Sequence, residues 1–177
     1  GTYDGQAAIT AARALGLPND TIIYFAVDFD AMDYQITNSV IPYFENVYAE
    51  VKTSGYKVGI YGARNVCTRV SKAGYACSSF VGDMSTGFSG NLGFKIPDNW
   101  AFSQFANLEG DNALGAGDGK IEIDKDAFSG RDQGVGKLNK VVKKAIYVLP
   151  GYMGSKLFSE DDTQYWIEGT GMNISLV

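Results

Sequence analysis

The residues with the clearest chemical potential are two acids, Asp28 and Asp30, directly after the apolar stretch 21–27. Side chains two positions apart on a β-strand leave the strand from one face, so both carboxylates can enter a single site. Glycoside hydrolysis needs such a pair, because one acid protonates the leaving oxygen while the other attacks or stabilises the oxocarbenium-like centre. The pair also fits a metal site or a helix cap, since Asp30 and Asp33 both precede a predicted helix.

The segments around the pair alternate between predicted strands and helices. Runs of β-branched and aromatic residues predict strands at 21–27, 56–61, 79–83, 100–106 and 120–124. Apolar residues at helical spacing, with terminal glycines, predict helices at 4–15, 34–53 and 63–73. Short alternation of this kind is typical of βαβ units and a parallel sheet, which makes the predicted fold class α/β.

Polar residues recur where the predicted strands end. In a (β/α)8 barrel the carboxyl ends of the strands meet at one face, and that face carries the active site. We therefore expect a shared active face, although scattered helix caps and turn residues would give the same pattern. The residues concerned are Asp28, Asp30, Tyr61, Asp83, Gln104 and Asp124.

The composition narrows the chemistry further. The chain of 177 residues has no histidine, which excludes Ser-His-Asp and Cys-His catalysis within it and most zinc sites. Acid–base chemistry then requires carboxylates, Tyr, Lys or Cys, and we expect neither a metal nor a cofactor. The net charge of −5 argues against nucleic acid and anionic membrane surfaces as partners. No apolar run reaches the ~18 residues of a membrane span.

Two cysteines, Cys67 and Cys77, lie ten positions apart. They fit a disulfide if the chain is secreted, and they fit two buried free thiols equally well. Neither has a neighbouring base that would make it a reactive thiolate, so we expect no catalytic role for them.

Five blocks of the sequence resemble, in order, a bacterial family of glycoside-hydrolase-like domains that is related to the lysozymes of glycoside hydrolase family 25. The blocks are residues 21–30, 59–62, 79–90, 99–105 and 121–124. The resemblance covers about residues 1–135. It implies that residues 1–130 form part of a (β/α)8 TIM-type barrel, about strands four to eight, with the first three strands outside this chain.

The resemblance also implies catalytic roles. In the lysozyme family the fourth barrel strand ends in Asp-x-Glu, and both acids are implicated in cleaving the glycan of peptidoglycan. Asp28 matches the Asp, and Asp30 matches the Glu but is one methylene shorter. We therefore expect Asp30 as the acid and Asp28 as the nucleophile or stabiliser, a cell-wall polysaccharide as the partner, and a secreted, extracellular location.

Further matches imply residues that bind the saccharide. In the family, aromatic and amide groups line the groove, because aromatic faces stack on sugar rings and amides bond their hydroxyls. Asp124 corresponds to a pocket Asp on strand eight, and Asp83 resembles a residue typical of the bacterial subfamily. The groove positions fall on Tyr61, Trp100 and Gln104.

The composition changes near residue 129. Residues 131–143 begin polar and Gly-rich, which predicts a linker. Residues 144–177 resemble the start of a lipase of the lecithin–cholesterol acyltransferase type, an α/β-hydrolase, through the block 145–157 and Trp166. In such enzymes the backbone N–H after a Pro-Gly turn helps to form the oxyanion hole, and Tyr152 takes that position here. A plain strand and turn is the alternative interpretation.

Two functions follow from these patterns. The first is a glycosidase that acts on cell-wall glycan. The second is a glycan-binding barrel that does not cleave, attached to a lipase-like ester hydrolase; the shorter Asp30 favours it. Because five strands cannot close a barrel, we expect the chain to be a piece of a larger secreted protein and to be weakly stable or inactive alone.

Overall fold

Strands and helices alternate along the first half of the chain, as the sequence predicts. The computed structural model describes residues 1–135 and two short strands, β6 Leu157–Phe158 and β7 Gln164–Tyr165. The strands within residues 1–135 are β1 Ile22–Val27, β2 Lys57–Gly62, β3 Ser78–Val81, β4 Trp100–Leu108 and β5 Ile123–Phe128. The α-helices are α1 Thr2–Ala14, α2 Asp33–Gln35, α3 Ile41–Val51 and α4 Arg64–Lys72.

The predicted helix 34–53 consists of α2 and α3, joined by a π-helical stretch at Ile36–Val40. The other two predicted helices are confirmed as α1 and α4. Gly16, with φ at 69°, follows α1 in the left-handed conformation that commonly ends a helix. None of the helices in the described part of the chain is long and apolar enough to cross a membrane.

The five long strands form one sheet in the order β1-β2-β3-β4-β5. β1 to β4 run parallel, which confirms the predicted α/β class and is compatible with part of an α/β barrel. The prediction of a fully parallel sheet is wrong for β5, which pairs antiparallel with β4 and begins later than predicted. Residues 109–122 contain two 3₁₀ turns and no α-helix, so the chain reverses beside β4 instead of crossing over the sheet.

Helices α3 and α4 pack on one face of this sheet, and α1 packs against α3. Apolar residues of α3 repeat at spacings of three and four, which directs Phe44, Val47 and Val51 into the core, where all three are fully buried. The ring of Phe44 meets Phe25 of β1 edge to face, with centroids 6.4 Å apart. Other buried residues from the strands and α4 complete this core; they are Val27, Val58, Ile60, Val66, Val70 and Val81.

The opposite face of the sheet is concave and aromatic. The ring centroid of Tyr24 on β1 lies 6.1 Å from that of Phe80 on β3 and 6.0 Å from that of Phe102 on β4. In a flat sheet, β1 and β4 would be about 14 Å apart. The strands must therefore curl toward one another on this side, which we call the concave face.

The chain divides into two compact units, Gly1–Val141 and Val142–Val177. In the second unit, β6 pairs antiparallel with β7. Tyr152, assigned above to an oxyanion hole, lies outside the described residues. So does most of the predicted linker 131–143.

Both cysteines are free thiols in the structure. Cys67 is fully buried on α4, where its thiol lies 3.3 Å from the carbonyl oxygen of Gly62. Burial raises the pKa of the Cys67 thiol to about 12. Cys77, just before β3, is exposed. The sequence left open a disulfide or two buried free thiols. The structure has two free thiols, of which only Cys67 is buried.

This difference in exposure predicts how many thiols react with a reagent in the native protein and how many react after unfolding. Burial raises the pKa of the Cys77 thiol as well, so labelling is best done at about pH 9, where a larger fraction is thiolate. A thiol reagent should then modify Cys77 in the native protein and reach the fully buried Cys67 only after unfolding. Titration should give one fast thiol in buffer and two in denaturant, and Cys77→Ser should remove the fast one. Two fast thiols in the native protein would contradict this account.

Candidate functional site

The carboxyl ends of the parallel strands form the candidate site. Val27, Gly62, Val81 and Ser103 are successive partners across β1 to β4, so the residues that follow them lie at one level of the sheet. On the concave side this level carries Asp28 and Gln104. β5 runs the opposite way, so its beginning lies at this same end. We call the group formed here the edge cluster: Asp28, Tyr61, Gln104, Asp124 and Asp126.

A hydrogen bond between two of these residues organises the cluster. The hydroxyl of Tyr61 on β2 donates to Oε1 of Gln104 on β4, at 2.6 Å. The bond passes over Gly82, where an added Cβ would lie 3.2 Å from the Tyr61 hydroxyl. Phe80 supports the Tyr61 ring edge to face, with centroids 5.3 Å apart. The absence of a side chain at residue 82 therefore lets the bond form across β3.

Three carboxylates surround this bond. The pKa of Tyr61 is raised to about 12, mainly by burial and then by the negative charges of Asp28, Asp124 and Asp126. Asp126 also has a raised pKa, through burial and then through the charge of Asp124. The edge cluster is thus strongly negative, and one of its acids holds a proton more readily than an ordinary Asp.

Asp126 is absent from the residues predicted as a site. The predicted strand ended at Asp124, whereas β5 continues to Phe128 and pairs Asp126 with Gln104. The signal was present in the alternation Asp124-Lys125-Asp126, because residues two apart on a strand share a face.

Asp30, the second acid of the predicted pair, anchors a loop. Its Oδ1 accepts hydrogen bonds from the backbone N–H of Ser89, at 2.8 Å, and from the Ser89 hydroxyl, at 2.7 Å. Ser89 belongs to the connection between β3 and β4. Asp30 therefore holds this loop beside the end of β1, next to the edge cluster.

Asp83 is held by two partners at the end of β3. Its Oδ1 pairs with Nε of Arg64, and its Oδ2 accepts a hydrogen bond from the Ser103 hydroxyl at 2.6 Å. The Asp83 side chain is only 11% exposed. Arg64 also donates to the carbonyl oxygen of Phe94, so this ion pair ties α4 to the same loop.

Trp100 lies at the opposite end of the sheet. It opens β4 and pairs with Ser79, and its carbonyl oxygen accepts a hydrogen bond from the Ser129 hydroxyl at 2.8 Å. Four positions, or about 13 Å of extended chain, separate Trp100 from Gln104. The structure therefore brings Asp28, Tyr61, Gln104 and Asp124 together, and does not bring Trp100 to them.

From the sequence, a metal site was an alternative interpretation of the acids Asp28 and Asp30. Within the residues that the structure describes, no group of three or more His, Cys, Asp or Glu side chains is placed to hold a metal ion. The arrangement suits a larger organic ligand instead, because carboxylates, an amide and a phenol are spread along one edge of a concave sheet.

The Asp30 anchor can be tested by two substitutions. Asp30→Ala removes the acceptor for both Ser89 donors and should destabilise the loop by about 1–3 kcal/mol. Asp30→Asn keeps an acceptor oxygen and should have a smaller effect. Hydrogen exchange of the Ser89 amide should be faster in Asp30→Ala than in Asp30→Asn. Equal protection of that amide in both variants and in the wild type would contradict the anchor.

The electrostatics of the edge cluster predict an alkaline transition. A tyrosine whose pKa is raised above its ordinary value stabilises the fold below about pH 10, and this contribution is lost as the pH rises through the folded pKa of about 12. Asp28→Asn, Asp124→Asn and Asp126→Asn should each lower the pKa of Tyr61, measured by NMR of ¹³C-labelled tyrosine rings. The exposed Asp118→Asn serves as the control. An unchanged Tyr61 titration in all three variants would show that these charges do not reach it.

This chain is similar to a described family and to two curated proteins. Residues 1–128 match the family model described as Rv2525c-like, glycoside hydrolase-like domain. Two curated relatives are similar over most of the chain: Uncharacterized protein YbfG of Bacillus subtilis (strain 168), 51% identical over 146 residues, and Uncharacterized protein FadG of the same strain, 50% identical over 144 residues.

The aligned residues are 78% and 80% of this chain but only 19% and 24% of YbfG and FadG, so the chain spans about a fifth to a quarter of their length. No solved structure matches the chain. The family match covers well over half of the sequence and includes every residue of the edge cluster. The chain belongs to the Rv2525c-like family of glycoside hydrolase-like domains.

Proposed function

We propose that this domain acts on bacterial cell-wall glycan, that is, peptidoglycan, with the sugar chain bound at the edge cluster. The observation that carries the proposal is the Tyr61–Gln104 pair flanked by carboxylates on the concave face of a glycoside hydrolase-like domain. Carboxylates and amides are the groups that bond sugar hydroxyls. Phe29, next to Asp28 and 47% exposed, offers an aromatic surface on which a sugar ring can stack.

Cleavage would use Asp28 and Asp30. Asp28 is exposed at the end of β1, where it can attack or stabilise the anomeric carbon as charge develops there. Both hydrogen bonds from Ser89 fall on Oδ1 of Asp30, so Oδ2 is the oxygen that would deliver a proton to the leaving group. Asp83 would act indirectly, because Arg64 and Ser103 occupy both of its oxygens.

The proposal extends to the architecture of the whole protein. We infer that the curled sheet corresponds to about strands four to eight of a TIM-type barrel, with β5 reversed. A secreted, extracellular location would bring such a domain to its substrate. A lipase-like activity of residues 144–177, with Tyr152 in an oxyanion hole, is a separate proposal that rests on the sequence resemblance alone.

A second function is favoured by one observation. Asp30 is shorter than Glu, and Ser89 holds it against the loop with two hydrogen bonds. A carboxylate tied down in this way is poorly suited to approach a leaving group. The domain would then bind cell-wall glycan without cleaving it and would target an attached ester hydrolase to the envelope.

The two functions can be separated by substitution of the acids. If the domain cleaves glycan, Asp28→Asn and Asp30→Asn should each lower reducing-sugar release from purified peptidoglycan by about 10²-fold or more. Sedimentation with insoluble peptidoglycan should be retained in both variants. Asp118→Asn should match the wild type in both assays.

Other outcomes are equally informative. If wild-type protein sediments with peptidoglycan and releases no sugar, binding without cleavage is the function. Unchanged rates in both variants would show that these acids are not catalytic. No sedimentation and no release would overturn the proposal.

A further inference from the structure

The end of the edge cluster formed by β4 and β5 has features of its own. Gln104 and Asp126 are opposite one another across the two strands, and Asp124 is opposite Asn107. Since Asp124 and Asp126 are two positions apart, both project from the same side of β5 as Gln104 does from β4. An amide and two carboxylates therefore border one small region, which we call the β5 subsite.

The side-chain amide of Gln104 brings to the β5 subsite an N–H donor, Nε2, that no group within residues 1–135 accepts. Gln104 is 9% exposed, and its Oε1 accepts the hydrogen bond from Tyr61. Within residues 1–135, no acceptor receives a hydrogen bond from its Nε2. A buried N–H group without a partner is unfavourable, so a ligand oxygen at this place would complete the hydrogen bonding of the amide.

Within residues 1–135, no Lys or Arg side chain forms a salt bridge with Asp124 or Asp126. Arg64, at the start of α4, is paired with Asp83 instead. Lys125 lies between the two acids, so its side chain projects from the other side of β5. The mutual repulsion of Asp124 and Asp126 would be relieved by a positive group placed between them. A metal ion is not favoured, because these acids are not grouped for one within the described residues.

We propose that the β5 subsite binds a sugar unit that carries a free ammonium group, that is, a hexosamine without its N-acetyl group. The ammonium group lies between Asp124 and Asp126, and a neighbouring sugar oxygen accepts a hydrogen bond from Gln104 Nε2. This inference rests on the proposed function, because it names the sugar class bound by the same edge. An N-acetylated sugar would bury its amide against two carboxylates without neutralising them.

The test compares two oligosaccharides that differ only in this group. The purified protein is titrated calorimetrically with glucosamine tetramer and with N-acetylglucosamine tetramer, at about pH 6, where amines are protonated and most carboxyls are ionised. The glucosamine tetramer should bind about tenfold more tightly, and this preference should shrink as salt is added.

Variants assign the preference to the subsite. Asp124→Asn and Asp126→Asn should each remove most of the preference for the glucosamine tetramer while leaving the affinity for the N-acetylated tetramer nearly unchanged. Asp118→Asn, an exposed acid on a 3₁₀ turn of the β4–β5 connection, removes the same charge elsewhere and should keep the preference.

Each remaining outcome contradicts a different claim. If both tetramers bind equally, or if the N-acetylated one binds better, the β5 subsite is wrong and the glycan site stands. If the preference persists in both variants, the ammonium group binds elsewhere. If neither tetramer binds, this inference fails, and sedimentation with peptidoglycan then decides whether the proposed function fails with it.

Discussion

The hydrogen bond between Tyr61 and Gln104 is the contact on which the candidate site depends. It joins β2 to β4 across β3, which is possible because the sheet curls and because Gly82 leaves the space above β3 free. The bond also decides which atom of the amide remains for a ligand, since Oε1 is occupied and Nε2 is not. Breaking it would leave a phenol and an amide partly buried without partners, which is costly in free energy. Stability and recognition are therefore coupled at this point.

The two faces of the sheet separate the fold from its chemistry. Phe25, Ile60 and Val81 face the helices and are buried among apolar side chains, so their contribution is to the free energy of folding. The concave face carries aromatic rings near the middle of the strands and polar groups at their carboxyl ends. The carboxylates therefore lie beside apolar rings, where the dielectric constant is low. For this reason, burial and the negative charges of neighbouring carboxylates together raise the pKa of Asp126 and Tyr61.

Much of this arrangement could be predicted from the sequence, because local patterns encode it. Alternating strands and helices gave β1 to β4 and placed Asp28, Tyr61 and Gln104 near the strand ends. The reversal of β5 could not be predicted, since it depends on how residues 109–122 pack. Asp126 was missed because the predicted strand ended at Asp124, whereas β5 continues to Phe128. Trp100 is the first residue of its predicted strand, 100–106. The predicted strand therefore already put Trp100 at the amino end, away from the carboxyl end where the candidate site lies. The contacts that Ser89 makes with Asp30, and Arg64 with Asp83, join residues distant in sequence and are visible only in the fold.

The central claim is that glycan binds at the carboxyl end of the concave face. The most direct measurement is an NMR titration of ¹⁵N-labelled protein with a soluble peptidoglycan fragment, with backbone amides assigned. If glycan binds there, the largest changes in chemical shift should cluster at Asp28, Gln104 and Asp126 and in the Ser89 loop. Shift changes confined to the opposite end of the sheet, around Cys77 and Trp100, would contradict this claim. A spectrum that stays unchanged up to the highest fragment concentration would also contradict it.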